Sequence, residues 1–244
     1  MATWKWTTPQ FSRQQVNRAG EILIGPNVSP EELEDALQIV NNWRSSHAYP
    51  LNAIKMTLLT RAKALDRKAL IAQRIKRLRA IKVKLNRPET NDMQLSRMHD
   101  IGGRRTVMRN VSQAEQLADV YEKQTAKNRL RGGEPVRMYD YIAKPKPDGY
   151  RGIHLVRKYH SGSAKSLPKA FDGLRIEIQI RSKLQHAWAT AVEAVDYFTG
   201  QALKSNIGEE SWKRFFALAS CAFAGIEKRP LVPNTPTDPR ELKT

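Results

Sequence analysis

Two short segments of this chain gather side chains that could handle phosphate. Lys144-Pro145-Lys146-Pro147-Asp148-Gly149-Tyr150-Arg151-Gly152-Ile153-His154 sets two lysines, an arginine, a histidine and an aromatic ring around a loop bent by proline and glycine. That combination suits polyphosphate and a stacked base. Farther on, Ile176, Ile178 and Ile180 alternate with Glu177, Gln179 and Arg181. A period of two buries the isoleucines and aims the three polar side chains at the opposite face of a strand. The expectation is a carboxylate on a strand beside a positive loop.

Such a site needs elements to carry it. Ser29-Pro30-Glu31-Glu32 reads as a helix start, with Ser29 as cap, proline in the first turn and Glu32 placed for a capping box. Leu33, Ala36, Leu37, Val40 and Trp43 continue it as an apolar stripe ending near His47 to Pro50. Residues 51–85 read as one long or two short helices, with Ile54, Leu58, Leu65, Leu70, Ile75, Leu78 and Ile81 inward. A strand is expected around Val107, then a capping box at Ser112 and Glu115 opening a helix over Ala114 to Gln124. Gly132-Gly133 marks a loop. Further strands are expected at Met138 to Ala143, Ile153 to Tyr159 and Leu174 to Ile180, and helices over Leu184 to Phe198 and Ser211 to about Lys228. Helices first, then strands interleaved with helices, predict an α+β domain with a small mixed sheet flanked by helices. The expected division is a helical region over 1–50, the main domain over 51–228 and a proline-rich tail over 229–244, which could lead to a regulatory segment.

Composition narrows the class. The 244 residues carry 42 basic and 24 acidic side chains, a formal net charge of +18, which predicts attraction to polyanions, nucleotides or nucleic acid. Cys221 is the single cysteine, so no intramolecular disulfide can form, and its place in the apolar run Phe215 to Ile226 predicts a buried thiol. That run is too short to cross a bilayer, and Met1 to Trp6 lacks the apolar core of a signal peptide. A soluble, cytoplasmic protein without a membrane partner is expected.

With Arg74-Ile75-Lys76, Ile81 and Lys84 upstream, and His99-Asp100-Ile101-Gly102-Gly103-Arg104-Arg105 between, the two opening segments resemble the synthetase domain of the RelA/SpoT family over roughly residues 40 to 228. Members move pyrophosphate from ATP to the 3′-hydroxyl of a ribonucleotide on a nucleotidyltransferase-like fold. The resemblance implies Mg2+ on Asp100, with Glu177 sharing the metal or accepting the hydroxyl proton. It further implies Arg74, Lys76, Lys84 and Arg105 on ATP, the first three on one helix. Tyr150 would stack on the acceptor base, with Lys146, Arg151, His154, Gln179 and Arg181 around it. Ala80 and Gly152 stand where the family usually has serine. Arg104 stands where it has an apolar residue and reads as a surface charge, and His186 as either packing or catalytic.

The acceptor is open between a guanosine nucleotide, GDP or GTP, and the 3′ CCA end of tRNA. Eleven bases face one acid, Asp66, between Arg61 and Arg87. The surplus, Arg61, Lys63, Arg67, Lys68, Arg77, Arg79 and Lys82, reads as an RNA-binding surface, with a second group at Lys123, Lys127, Arg129, Arg131 and Arg137. The segment Glu193-Ala194-Val195-Asp196-Tyr197-Phe198 also departs from the acid-histidine and Tyr-Lys pattern of nucleotide-making members and resembles the toxin-type branch. The reading therefore leans to tRNA, and a toxic enzyme implies an antitoxin protein or a C-terminal regulatory domain. A non-catalytic RNA-binding protein is the remaining alternative.

Overall fold

A computed structural model describes residues 5–87, 93–129, 137–161, 166–200, 203, 208–233 and 235. Helix α1 (Arg13–Ile24) opens on a capping box between Ser12 and Gln15, a start that the sequence reading passed over although its Ser-x-x-Gln pattern was available. The box at Ser29 and Glu32 forms as expected and starts α2 (Pro30–Ser46). Helix α3 (Ala48–Leu65) follows almost without a break. The domain boundary drawn at residue 50 thus falls within a helix.

The stretch after α3 corrects the expectation of continuous helix. Asp66 ends the helix, accepting from the backbone of Lys68 at 2.9 Å and of Arg109 at 2.9 Å, and the chain turns into strand β1 (Leu70–Ile75). Its register, Leu70 opposite Val107 through Ile75 opposite Gly102, saturates one edge of β2 (Gly102–Met108). A six-residue segment with isoleucines at 71 and 75 fits a strand or a helix turn equally, and the unpaired edge of β2 decides between them. Helix α4 (Leu78–Leu85) then begins. Arg74 therefore stands on a strand, Lys76 just after it and Lys84 on α4, not on one helix.

Helix α5 (Val111–Arg129) is capped by Asn110, which accepts from the backbone of Gln113 at 2.9 Å, two residues before the Ser112 box that was expected. Strands β3 (Arg137–Asp140), β4 (Ile153–Lys158) and β5 (Arg175–Ser182), the short α6 (Ser166–Lys169), α7 (Lys183–Thr199) and α8 (Glu210–Glu227) complete the fold. The sheet order is β1-β2-β5-β4-β3, with only β2 and β5 parallel. The chain is an α+β protein with a mixed sheet. Trp4, Gly132-Gly133, Arg131 and most of the tail lie outside the described residues, as do the side chains of Lys127 and Arg129.

Two layers cover the sheet. Leu51, Ile54 and Leu58 of α3 and Leu117 of α5 pack on Ile176, Ile178 and Ile180. On the other face Trp188, Ala189 and Val192 of α7 meet Phe216 of α8. A third cluster joins α1, α2 and α4 at one end of the sheet, where Trp6 packs edge-on to Tyr49 at 5.5 Å. Cys221 is buried, its thiol 2.9 Å from the Thr235 hydroxyl. No helix among the described residues is long and apolar enough to cross a membrane.

Candidate active site

The alternation in β5 places Glu177, Gln179 and Arg181 on the face that looks toward α7. Across the sheet, register sets His154 of β4 against Gln179 and Gly103 of β2 against Glu177. The loop before β4 is folded back by glycine. At Gly149, with φ +90°, a Cβ would lie 2.9 Å from the Trp188 ring, and at Gly152, with φ +150°, one would lie 3.3 Å from the Tyr150 hydroxyl and 3.2 Å from Arg181 Cγ. No side chain fits either place without displacement. Serine at position 152 would push directly on the tyrosine. Ser220 on α8 donates to the Gly149 carbonyl at 2.6 Å, and Trp188 Nε1 donates to the Phe216 carbonyl at 2.7 Å, tying loop, α7 and α8 together.

The result is a pair of adjoining clefts. The larger, about 870 Å³ including its open mouth, is lined by Tyr150, Trp188 and Phe216 and by Lys146, Arg181 and Lys213. The smaller, about 500 Å³, holds Asp100, Glu177 and Gly103. Arg74, Arg105, Gln179 and Glu193 line both. Arg105 from β2 and Glu193 from α7 form an ion pair at 3.6 Å where the clefts meet. The aromatic cleft suits a base and the charged one suits phosphate.

Asp100 sits between two ammonium groups, Lys76 Nζ at 2.6 Å and Lys84 Nζ at 2.9 Å. Burial works to raise its pKa, but the charges and hydrogen bonds of Lys84 and Lys76 outweigh it and hold the carboxylate well below its ordinary range. Lys76 is pushed the other way: burial lowers it despite Asp100, with Lys84 and Arg74 adding repulsion. The four cations that the resemblance assigns to ATP therefore divide. Arg74 and Arg105 face the clefts, whereas Lys76 and Lys84 clamp Asp100.

Around Glu177 the polar groups close a ring. His154 Nδ1 lies 2.9 Å from Glu177 Oε1, and His154 Nε2 is hydrogen-bonded to the Tyr150 hydroxyl. Gln179 Nε2 donates to Glu177 Oε2 at 2.7 Å, and Arg181 Nη2 donates to Gln179 Oε1 at 3.2 Å. Arg181 also donates to the Tyr150 oxygen, from Nε at 3.2 Å and Nη2 at 3.0 Å. Burial tends to raise Glu177, but the His154 hydrogen bond and charge overcome it, so its pKa lies below the ordinary value. Burial raises the Tyr150 phenol despite the neighbouring Arg181. The Lys146 ammonium lies 5.4 Å from the Tyr150 ring centre and 4.5 Å from that of Tyr141. Arg181 Nη1 is buried with no hydrogen-bond partner among the described residues, a donor directed at no protein oxygen.

Two arginines are not where the sequence reading put them. Arg151 is buried and pairs with Glu227 at 3.0 Å, beside the N-terminus of α7, where Ser182 and Gln185 also donate to Glu227. Its neighbour glycines turn it away from the cleft toward α8. Arg104 is buried too, not a surface charge, donating to the Leu51 carbonyl at 2.6 and 3.0 Å and to Gln73. The positions that sequence reasoning missed are Trp188, Phe216, Lys213 and Glu193 as cleft walls, since α7 and α8 meet the sheet only through tertiary packing. His186 is half-buried, and burial with the nearby Arg105 and Arg181 lowers its pKa.

The basic surplus is also split. Arg61, Lys63, Arg67 and Lys68 lie on α3 and the turn after it, on the isoleucine side of the sheet, where the Arg61 guanidinium stacks 4.8 Å from the Tyr121 ring centre. Arg77, Arg79 and Lys82 are exposed on or just before α4, the helix whose Lys84 reaches Asp100. Lys123 and Arg137 are exposed on α5 and β3.

Comparison with known proteins places this arrangement. The family model described as "Region found in RelA / SpoT proteins" matches residues 73–201. The chain is 28% identical over 113 residues, 46% of its length, to the Bacillus subtilis (strain 168) protein named GTP pyrophosphokinase YwaC, and the match spans 49% of that relative. Among solved structures, small alarmone synthetase 2 from Bacillus subtilis superposes with a TM-score of 0.56 at 20% identity, covering 77% of this chain and 94% of that one. Small alarmone synthetase 1 from the same organism, bound to pppGpp, gives 0.54 at 23% identity, covering 75% and 89%. These likenesses are of fold.

Proposed function

The chain belongs to the RelA/SpoT family, and from that premise we propose that it transfers the β,γ-pyrophosphate of ATP to a ribose 3′-hydroxyl. The observation that carries the proposal is the pair of clefts meeting at Arg105 and Glu193, with Glu177 in the smaller one, hydrogen-bonded to Gln179 of their shared wall. A donor triphosphate lies against Arg74 and Arg105, and an acceptor nucleoside against Tyr150 and Trp188. The 3′-oxygen then attacks the β-phosphorus, the bond to the α,β-bridging oxygen breaks, and AMP leaves. Holding both partners at one boundary supplies the orientation such a reaction requires. Glu177 accepts the hydroxyl proton, and Arg181 offers its unpartnered Nη1 to acceptor oxygens.

Asp100 and Glu177 fit a magnesium ion, because both are ionised carboxylates on one charged cleft and magnesium takes one or two such ligands while keeping water and phosphate for the rest. When bound, the metal would neutralise phosphate charge. Among the described residues no group of three or more His, Cys, Asp or Glu gathers into a protein cage.

For the acceptor we favour the 3′ end of tRNA. The support is the exposed cations Arg77, Arg79 and Lys82, on or just before the helix whose Lys84 reaches Asp100, backed by a net charge of +18. None of the seven RNA-contact candidates lines either cleft, and only these three sit on or just before an element with a residue that reaches Asp100, so the α3 cations belong to a longer RNA path or to none. The relative's name, GTP pyrophosphokinase, supports GDP or GTP as the second reading. Blocking the CCA end stops aminoacylation, so the first reading brings with it a restraining antitoxin or regulatory segment. Offering γ-labelled ATP with GDP, GTP and deacylated tRNA in separate tubes tests both readings. Label on tRNA, lost after periodate oxidation of its 3′ end and with Asp100→Asn, is expected; label on GDP or GTP alone gives the second.

A further inference from the structure

The ring around Glu177 has a direction. A phenol oxygen carries two lone pairs and one hydrogen, and an amide group offers an acceptor oxygen and a donor nitrogen. Arg181 can only donate, and it fills the Tyr150 oxygen from Nε and Nη2. The tyrosine hydrogen is then left for His154 Nε2, which must accept. An imidazole accepting at Nε2 carries its proton on Nδ1, and Nδ1 faces Glu177 Oε1. The other branch runs the same way, from Arg181 Nη2 to Gln179 Oε1 and from Gln179 Nε2 to Glu177 Oε2. Two chains of donors leave one guanidinium and end on the two oxygens of one carboxylate.

We infer that His154 is a positioning residue that orients the Glu177 carboxylate through this relay, rather than a ligand for acceptor phosphate. The inference rests on the proposed transfer reaction for its kinetic consequence, but not for its geometry. With one donor on each oxygen, Glu177 cannot rotate about its terminal bond without breaking both bonds, and each oxygen keeps a further lone pair for the reacting hydroxyl. Tyr150 then has two duties: its ring lines the base cleft, and its hydroxyl fixes the tautomer of His154. Arg181 anchors the start of both branches and is itself pinned over the Tyr150 ring, with its guanidinium carbon 5.0 Å from the ring centre. Residues that hold a catalytic carboxylate from behind typically change activity by about 10- to 100-fold when lost.

Two measurements on the full chain test the inference. The first reads the His154 tautomer by 15N NMR at pH 8, assigned with His154→Asn. A protonated Nδ1 with a bare Nε2 is expected, whereas a proton on Nε2 alone overturns the relay whatever the enzyme does. The second is steady-state kinetics with labelled ATP and whichever acceptor the wild type uses. His154→Phe and Tyr150→Phe should each lower kcat by about 10- to 100-fold with the acceptor KM within about threefold. His154→Asn, whose amide can still donate to Glu177, should recover part of the loss, and Tyr150→Phe combined with His154→Phe should cost little more than His154→Phe alone. A large rise in acceptor KM at unchanged kcat would instead make His154 a phosphate ligand and sink the inference while leaving the transfer reaction standing. A wild type that labels no acceptor would sink the reaction, and the tautomer would still decide the relay.

Discussion

Strand β5 has two faces, both withdrawn from water and held by different forces. Ile176, Ile178 and Ile180 are fully buried beneath α3 and α5, while Glu177 and Arg181 on the reverse are 8% and 4% exposed beneath α7. The isoleucine face needs only shape and dispersion, so its geometry tolerates repacking. On the polar face every buried group requires a partner with the right hydrogen-bond sense, which is why its five side chains close a directed ring. Burial on one side makes stability, and burial on the other makes a fixed carboxylate.

Substitutions can separate the two. The largest expected effect lies behind the polar face, at Glu227. Replacing it with leucine leaves Arg151 buried without its charge partner and should cost about 3 to 5 kcal/mol in chemical denaturation. The acceptor KM of the folded fraction should not change, because Arg151 does not reach the cleft; a selective rise in KM would restore it to the site. Glu177→Gln removes the charge and sets an amide NH2 against one of the two donors that Glu177 accepts from, so transfer should fall by about 10³-fold, near 4 kcal/mol in the barrier, with about 1 to 3 kcal/mol lost in stability. Ile178→Ala should show the opposite pattern, losing about 3 kcal/mol of stability by denaturant titration while molecules that remain folded keep most of their kcat.

A buried histidine on the apolar side gives a pH test of the same contrast. His47 donates from Nδ1 to the Trp43 carbonyl at 2.7 Å, and burial lowers its pKa from 6.5 to about 4 although that hydrogen bond favours the charged form. The folded state therefore resists the proton that the unfolded chain takes up. The contribution is complete above about pH 6.5 and is lost as pH falls toward 4, at most about 3 kcal/mol. His47→Asn should flatten the stability profile over that window. A slope unchanged by this substitution would assign the acid sensitivity elsewhere. Smallest of all, Glu193→Gln opens an ion pair that is partly exposed, so stability should move by less than about 1 kcal/mol, measured at low and high salt.

Much of this could be read before folding. The period of two in Ile176 to Arg181 showed which residues share a face, because side-chain direction along a strand is a local property. The box at Ser29 was equally local and formed as expected. Residues 70–75 were not legible: strand or helix depends there on whether β2 offers an open edge, and that edge comes from thirty residues away. Arg151 misled because a basic residue inside a phosphate-like motif looks the same whether it faces a cleft or a buried Glu227 on α8. Asp100, Glu177 and Tyr150, which the sequence reading named, all line the clefts, since their neighbours in the chain set their turn and strand.

By itself, then, the sequence determined the alternation of β5, the start of α2, the cationic excess and the family. Tertiary structure alone decided which charges are buried in pairs and which line the clefts. Lys76 and Lys84 close on Asp100, Arg151 closes on Glu227, and Arg105 meets Glu193 at the clefts that Arg74 also lines, although all are simply basic or acidic side chains in the chain. The physical reason is that charge and hydrogen-bond direction act across space over a few ångströms, between groups that chain distance does not bring together.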